Sequence, residues 1–195
     1  RRDGYLKFLN TWKNRDLIKV LSGVRRSGKS TLLAMFQQDL KEQGVQDENI
    51  IAINFEYMEF EELTDYRKLH DYVLSKVDKN KKNYVFLDEI QHVQNFEKVV
   101  DSLYIRDYID LYITGSNAFF LSGELATLLT GRYIEQHVLP LSFQEFKQWH
   151  TENNPTIQQL SNRDLYAMYT RSSFPYTLAM TNQQETYDYL QAVYA

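Results

Sequence analysis

The sequence predicts an α/β fold in which a doubly wound, mainly parallel sheet of five strands precedes a small helical region. Three observations lead to this prediction. An apolar run ending at Leu21 leads directly into a glycine-containing loop and then into a helical pattern. A second apolar run, Tyr84–Leu87, ends in Asp88 and Glu89. Strand-like and helix-like segments alternate as far as about residue 150, which is the order that parallel sheets require.

The strand predictions rest on short apolar segments that are bounded by polar or turn residues. They are Leu17–Leu21, Asn49–Phe55, Tyr84–Leu87, Ile109–Asn117 with its small polar tip, and Tyr133–Leu139. Pro140 ends the last segment, because proline cannot donate a hydrogen bond to a sheet.

Helices are predicted where apolar residues recur every three or four positions after a capping residue. Gly44 ends a helix that begins near Ser30, Thr64 caps the next helix, and Ser142–Glu145 is a capping box. The predicted helices are Arg1–Asn14, about Ser30–Gln43, the segment after Thr64, the segment beginning at Asn95, Ala118–Leu129, the segment from Ser142 to about His150, and one beginning near Asn182. Residues 151–195 contain only helical patterns, so we predict a core, 1–150, and the start of a helical lid, 151–195.

Composition is typical of a globular protein of a reducing compartment. Of the 195 residues, 43% are apolar, which is enough to bury a core, and there is no cysteine for a disulfide or a thiolate metal site. No apolar stretch approaches the ~18 residues of a membrane span, and no signal-peptide pattern is present. We therefore expect a cytoplasmic protein with no membrane partner. The missing initiator Met and the end inside a helical pattern lead us to expect a piece of a longer protein.

Charge is distributed unevenly along the chain. The net charge is −4, yet residues 1–31 hold nine Lys/Arg and two Asp/Glu, which leaves 13 and 24 for the rest. The basic amino-terminal part is compatible with nucleic acid, but the acidic remainder argues against dominant non-specific DNA binding.

The loop after the first strand matches the phosphate-binding pattern G-x-x-x-x-G-K-[ST] at every fixed position. Glycines permit the sharp turn that points successive N–H groups inward, Lys29 places an ammonium on the β- and γ-phosphates, and the Ser30 hydroxyl ligates Mg²⁺. The predicted nucleotide-binding residues are Gly23, Val24, Arg25, Arg26, Ser27, Gly28, Lys29, Ser30 and Thr31. For Arg25 and Arg26, contact with phosphates or a neighbouring subunit and simple solvation both stay open.

The acidic pair at the end of the third predicted strand is the second candidate feature. The carboxyl edge of a parallel sheet is where such folds bind ligands. Asp88 is predicted to hold Mg²⁺, and Glu89 to polarise the water that attacks the γ-phosphate. Strands often end in acids, so the position of the pair about 55 residues after the loop carries the assignment.

The polar tip of the fourth predicted strand is the third candidate feature. The Ser116 hydroxyl and the Asn117 amide are placed to contact the γ-phosphate or the attacking water. The alternative is an ordinary turn with an asparagine cap.

At this point the chain resembles the prokaryotic AAA-type ATPases, which are related to the archaeal ATPases and to origin-recognition AAA+ proteins. The resemblance rests on GVRRSGKSTLL, VFLDEIQ, ITGSNA, TGRY and VLPLSFQEF in this order, and it covers about Arg1 to Phe146 well. It implies that Gly23–Thr31 is the Walker A loop and Asp88-Glu89 the Walker B pair. It also implies a polar-tipped strand between the loop strand and the Asp-Glu strand, and adenine as the base.

The same resemblance suggests roles for residues outside these motifs. Ser116 and Asn117 become the sensor-1 region, Gln91 orients the Walker B turn, and Arg132 is a candidate arginine finger that acts in trans in a homo-oligomer. Ser172–Pro175 stands where relatives show Gly-Gly-Phe-Pro, and without the two glycines the lid backbone need not follow that of the relatives at this turn. Arg171 is a sensor-2 candidate, with an ordinary surface arginine as the alternative. Relatives usually continue into a restriction-endonuclease-like domain, through which DNA would be a partner.

Three functions remain open from the sequence. The first is Mg²⁺-dependent ATP hydrolysis that drives a switch or a motor. The second is a P-loop kinase that passes the phosphoryl group to a small molecule, against which Glu89 argues by activating water. The third is a nucleotide-binding interaction module with little turnover.

Overall fold

The computed structural model describes residues 2–115, 129, 131–153, 160–180 and 182–194. The chain forms two compact units. The sheet unit consists of Asp3–Gly23 and Lys29–His137, and the helical unit consists of Arg1–Arg2, Val24–Gly28 and Val138–Ala195. The predicted division into a core, 1–150, and a lid, 151–195, stays a prediction.

The sheet unit contains five strands, and every strand pairing is parallel. The strands are β1 (Ile18–Ser22), β2 (Ile50–Asn54), β3 (Asn83–Asp88), β4 (Ile109–Thr114) and β5 (Tyr133–His137). Their order across the sheet is β2-β3-β4-β1-β5. The predicted α/β class and five-stranded sheet are confirmed, and β4 lies between β1 and β3 as the resemblance implies.

Four described helices belong to the sheet unit: α1 (Asp3–Trp12), α2 (Lys29–Glu42), α3 (Tyr66–Lys76) and α4 (Phe96–Tyr104). Gly44 follows α2 at a φ of 90°, which favours glycine at a helix end. The cap of α3 is Asp65 and not the predicted Thr64. The Asp65 carboxylate accepts hydrogen bonds from the backbone of Arg67 and Lys68, whereas the Thr64 hydroxyl donates to the Glu61 carbonyl. The predicted helix Ala118–Leu129 lies outside the described residues except for Leu129.

The two faces of the sheet bury alternate residues of each strand, as the period of two requires. On one face Val85, Leu87 and the neighbouring strand residues pack with apolar residues of α3 and α4. On the other face Phe86 and Tyr112 form an aromatic cluster with Phe36 of α2, with ring centroids 4.8 to 6.2 Å apart. Helices therefore cover both faces, which explains why the central strands β1, β3 and β4 are buried throughout.

Helices and turns make up the described part of the helical unit. They are α5 (Phe143–Asn153), α6 (Asn162–Tyr169), a 3₁₀ turn (Pro175–Ala179) and α7 (Gln183–Tyr194). The predicted capping box of α5 is present: the Ser142 N–H donates to the Glu145 carboxylate at 2.8 Å, and the Glu145 N–H donates to the Ser142 hydroxyl at 3.2 Å. None of the described helices has the length and apolar character to cross a membrane.

Candidate nucleotide-binding site

The loop between β1 and α2 has the backbone that its glycines predict. Gly23 has a φ of 142° and Gly28 a φ of 97°, values that side-chain-bearing residues rarely adopt. Arg26 also has a positive φ, 64°, without being a glycine. Its guanidinium lies over the ring of Tyr189 at 5.2 Å and over that of Tyr176 at 6.0 Å, within the helical unit. Arg26 is an exposed residue that packs against two tyrosine rings, and the predicted alternatives for it, contact with phosphates or a neighbouring subunit and simple solvation, both stay open.

Lys29 begins α2 with its side chain buried in the sheet unit. Its ammonium donates to the Gly23 carbonyl at 3.2 Å and lies 3.4 Å from the Glu89 carboxylate. Only 3% of the side chain is exposed. The ammonium is therefore fixed at the end of the loop, where it would lie close to an anion that the loop binds.

Asp88 ends β3 and is held by neutral donors from three elements. The Thr114 hydroxyl at the end of β4 donates to Oδ1, the Asn54 amide at the end of β2 donates to Oδ2 at 2.9 Å, and the Ser30 hydroxyl is a further donor. Burial raises the pKa of the Asp88 carboxyl; the bonds from Thr114 and Ser30 oppose this shift, and the nearby Glu89 adds to it. The carboxylate is therefore oriented but carries a desolvation cost.

Glu89 turns the chain away from the sheet with a φ of 56°. Its N–H donates to the Thr114 hydroxyl at 3.0 Å, so one hydroxyl contacts both acidic residues. Its carboxylate accepts a hydrogen bond from the Gln91 side-chain amide, and the orienting role of Gln91 stays a prediction. The side-chain oxygen of Gln91, Oε1, is buried and has no hydrogen-bond partner among the described residues. Glu89 is thus fixed at its backbone by Thr114 and at its side chain by Gln91 and Lys29.

The structure brings Lys29, Ser30, Asp88 and Glu89 together at the carboxyl edge of the sheet, and it adds two residues that the sequence did not single out. Asn54 and Thr114 are strand-end residues whose roles depend on register, since Asn54 pairs with Asp88, and Leu87 and Ile113, the residues before Asp88 and Thr114, pair with each other. A polar residue at the end of each strand is the one local signal that marks them, and it does not say which strand ends meet.

The oxygen groups at this edge fit Mg²⁺. The Ser30 hydroxyl and the Asp88 carboxylate are in direct hydrogen-bond contact, and both are hard oxygen donors. Among the described residues, no group of three or more His, Cys, Asp or Glu side chains could hold a metal. One hydroxyl and one carboxylate, completed by water and phosphate oxygens, is the kind of set that Mg²⁺ takes in nucleotide-binding proteins.

A cavity of about 300 Å³ opens beside Ser30 and Asp88, within the sheet unit. Asn54, Tyr57, Phe60 and Phe86 contribute to its wall. Its volume is at the lower end of the range for small-molecule sites, which runs from about 300 to 1,000 Å³.

Arg132 lies away from this cluster, just before β5. Ile18 pairs with Tyr133 and Ser22 with His137, so this amino edge is about 13 Å from the carboxyl edge at ~3.3 Å per residue. The Arg132 side chain is 46% exposed and forms an ion pair with Asp101 of α4. It therefore cannot reach the carboxyl edge of its own sheet. The predicted Ser116 and Asn117 lie outside the described residues, and Arg171 belongs to the helical unit.

The class of protein follows from these features. A buried parallel strand, a G-x-x-x-x-G-K-S loop, a helix beginning at its lysine and an acidic pair on a nearby strand define a P-loop nucleoside triphosphatase fold. A family model described as an AAA domain matches residues 15–147. The chain belongs to this AAA domain family, and the predicted resemblance to prokaryotic AAA-type P-loop ATPases is confirmed.

Known proteins similar to the chain include two curated relatives and a solved structure. An uncharacterized protein of Haemophilus influenzae is 43% identical over 89% of the chain, and the protein MJ1544 of Methanocaldococcus jannaschii is 38% identical over 70% of it. The matches span only 43% and 29% of the lengths of these relatives. The structure of AMPPCP-bound DnaA from Aquifex aeolicus matches 99% of the chain and 60% of its own, with a TM-score of 0.57 and 12% identity. This last likeness shows the fold.

Proposed function

We propose that the protein binds ATP with Mg²⁺ and hydrolyses it, and that hydrolysis serves as a conformational switch or motor. One observation carries this proposal: Glu89 is held beside Lys29 and directly after Asp88, with its backbone fixed by Thr114. A carboxylate placed next to the phosphate-binding lysine suits the activation of water.

Each residue of the cluster then has a role. The backbone N–H groups of Gly23–Thr31 and the Lys29 ammonium hold the phosphates, and Ser30 and Asp88 hold Mg²⁺. When bound, the cation would neutralise negative charge on the phosphates. Glu89 accepts a proton from the attacking water, with its carboxylate oriented by Gln91. The structure of DnaA from Aquifex aeolicus, which shares this fold, is bound to the nucleotide analogue AMPPCP, and this supports a nucleotide as the ligand.

Two further roles belong to the same proposal. Asn117 senses the γ-phosphate, and Arg132 acts in trans on the nucleotide of a neighbouring copy. The position of Arg132 at the amino edge, outside the reach of its own site, supports action in trans. DNA as a partner through a further domain stays a prediction.

Glu89→Gln tests hydrolysis directly. It removes the charge that polarises water but keeps size and hydrogen bonding, so ATP should bind normally while phosphate release falls by roughly 10²-fold. Lys29→Ala should instead abolish tight ATP binding in a calorimetric titration. Glu62→Gln, which changes an exposed carboxylate of the same chemistry, is the matched control and should leave both quantities unchanged. Normal turnover by Glu89→Gln would contradict the assignment of Glu89.

A second candidate function, phosphoryl transfer to a small molecule, is favoured by the cavity beside Ser30 and Asp88. An acceptor seated there would lie next to the proposed phosphate site. Analysis of the products of ATP turnover, with and without added nucleosides and other hydroxyl acceptors, separates the two functions. Inorganic phosphate alone supports hydrolysis, and a phosphorylated acceptor supports transfer. Bound nucleotide with negligible product would indicate an interaction module.

A further inference from the structure

The guanidinium of Arg2 contacts the phosphate-binding loop and the start of α5, all within the helical unit. Nη1 donates to the Ser27 carbonyl at 2.9 Å, Nε donates to the Glu145 carboxylate at 2.9 Å, and Nη2 donates to the Leu139 carbonyl at 2.8 Å. Neither the phosphate-loop motif nor the proposed mechanism uses this residue. Only 11% of its side chain is exposed.

The Ser27 carbonyl needs such a partner. Ser27 has no exposed surface, so water does not reach it, and a buried carbonyl without a hydrogen bond is costly. Its own N–H is already used inside the loop, where it donates to the Val24 carbonyl at 3.2 Å. Arg2 provides the carbonyl with a charged donor, which makes a stronger bond than a neutral one.

The same bond sets the direction of the next N–H. Ser27 C=O and Gly28 N–H belong to one planar, trans peptide unit and point in opposite directions. Gly28 has a φ of 97°, and a glycine at this position allows the peptide to rotate more freely than other residues would. A rotated unit would present a carbonyl in place of an N–H on the phosphate-binding side of the loop.

Glu145 gives Arg2 a fixed anchor. The Glu145 carboxylate is itself held by the Ser142 N–H in the capping box of α5. Burial would raise the pKa of Glu145, but hydrogen bonds from Arg2 and from the Ser142 backbone outweigh it, so the pKa lies below its ordinary value. One edge of the guanidinium is therefore paired with a stationary anion, while Nη1 holds the loop.

We propose that Arg2 is a positioning residue of the phosphate-binding loop: it holds the Ser27–Gly28 peptide with the Gly28 N–H directed to the bound phosphates. This inference rests on the proposed nucleotide binding and adds a residue to it. It predicts that nucleotide affinity depends on a guanidinium at the amino-terminal end of the chain.

The test compares Arg2→Ala, Arg2→Lys and a control, Arg163→Ala, which removes an exposed arginine of α6. Affinity for Mg²⁺ and AMPPCP is measured by calorimetry, and folding is checked by a thermal melt without nucleotide. Arg2→Ala should weaken binding by about 10- to 100-fold, as expected for a lost charge-assisted hydrogen bond and an unpaired carbonyl. Arg2→Lys should be intermediate, because an ammonium lacks the planar fork. Arg163→Ala should bind as the wild type does.

Two readouts separate positioning from general stability. Millimolar ethylguanidinium should restore part of the affinity of Arg2→Ala and none of that of Lys29→Ala. With ¹⁵N-glycine labelling, which gives at most seven backbone signals, the Gly28 amide should shift on nucleotide addition in the wild type and shift much less in Arg2→Ala.

Wild-type affinity together with an unchanged Gly28 shift in Arg2→Ala would overturn the inference and leave the proposed function standing. Weakened binding that neither ethylguanidinium nor Arg2→Lys restores, with an unaltered Gly28 shift, would also overturn it. Failure of the wild type to bind AMPPCP would overturn the proposed function itself.

Discussion

Thr114→Val is the substitution that most directly tests how the acidic pair is held. Valine has nearly the shape of threonine but no hydroxyl. The Thr114 side chain is fully buried, and its hydroxyl both donates to Asp88 and accepts from the Glu89 N–H. Its removal therefore breaks two hydrogen bonds without opening a cavity, and it leaves a buried N–H without a partner.

The size of the effect follows from these two bonds. A hydrogen bond to an ionised group contributes about 1.5–3 kcal/mol, and a buried donor left unsatisfied costs about 1–3 kcal/mol. The added methyl group returns about 0.8 kcal/mol. Together these values give an expected loss of about 2–5 kcal/mol in the free energy of unfolding. Thr114→Ser, which keeps the hydroxyl and loses one methyl group, should cost only about 1 kcal/mol.

Urea unfolding of the nucleotide-free protein at pH 8 measures both variants, and similar m-values would show that the unfolded states are comparable. On burial and strand propensity alone, valine would be the better residue at a buried strand end. The hydrogen-bond argument thus predicts that Thr114→Ser is more stable than Thr114→Val, whereas burial and strand propensity alone predict the reverse. If Thr114→Val proved as stable as Thr114→Ser, the account of how Asp88 and Glu89 are fixed would be wrong.

Three more predictions concern charges. Burial raises the pKa of Asp88 in the folded state, so folding takes up a proton and the free energy of unfolding falls as pH rises through that pKa. Asp88→Asn should abolish this pH dependence, and at pH 8 without Mg²⁺ it should be more stable than the wild type. Lys19→Met should cost about 3–5 kcal/mol by leaving the buried Asp110 carboxylate without its cation. Mixing Arg132→Ala with Lys29→Ala should recover hydrolysis if the arginine acts in trans, because the mixed species pairs an intact loop with an intact arginine.

Each of these has a result that would count against it. For Asp88, the stability difference should vanish on acidification, and a constant difference would point to packing. For Lys19, the double variant with Asp110→Asn should regain much of the lost stability, and equal single and double variants would refute the ion-pair argument. For Arg132, two inactive proteins that stay inactive despite proven co-assembly would refute action in trans.

Local patterns were enough to predict the strands, the sheet class and the loop glycines, since each depends on residues that are neighbours in sequence. Asn54 and Thr114 could not be assigned in this way, because they meet Asp88 only through the parallel register of three strands. Arg2 was missed for the same reason: its partner Glu145 is 143 positions away. The cap of α3 shows the limit of a purely local signal, since Thr64 and Asp65 are adjacent capping residues and only the loop before them decides between them.

The surroundings of Asp88 also affect how much the carboxylate must reorient when a cation binds. A carboxylate offers about four lone-pair positions. Donors from Asn54, Thr114 and Ser30 occupy three of these and restrict the rotation of the group. Folding has therefore already supplied the ordering that a freely rotating carboxylate would need each time a cation binds. If Asp88 holds Mg²⁺ as proposed, capture of the cation would require little rearrangement beyond displacement of the Ser30 hydroxyl from Asp88.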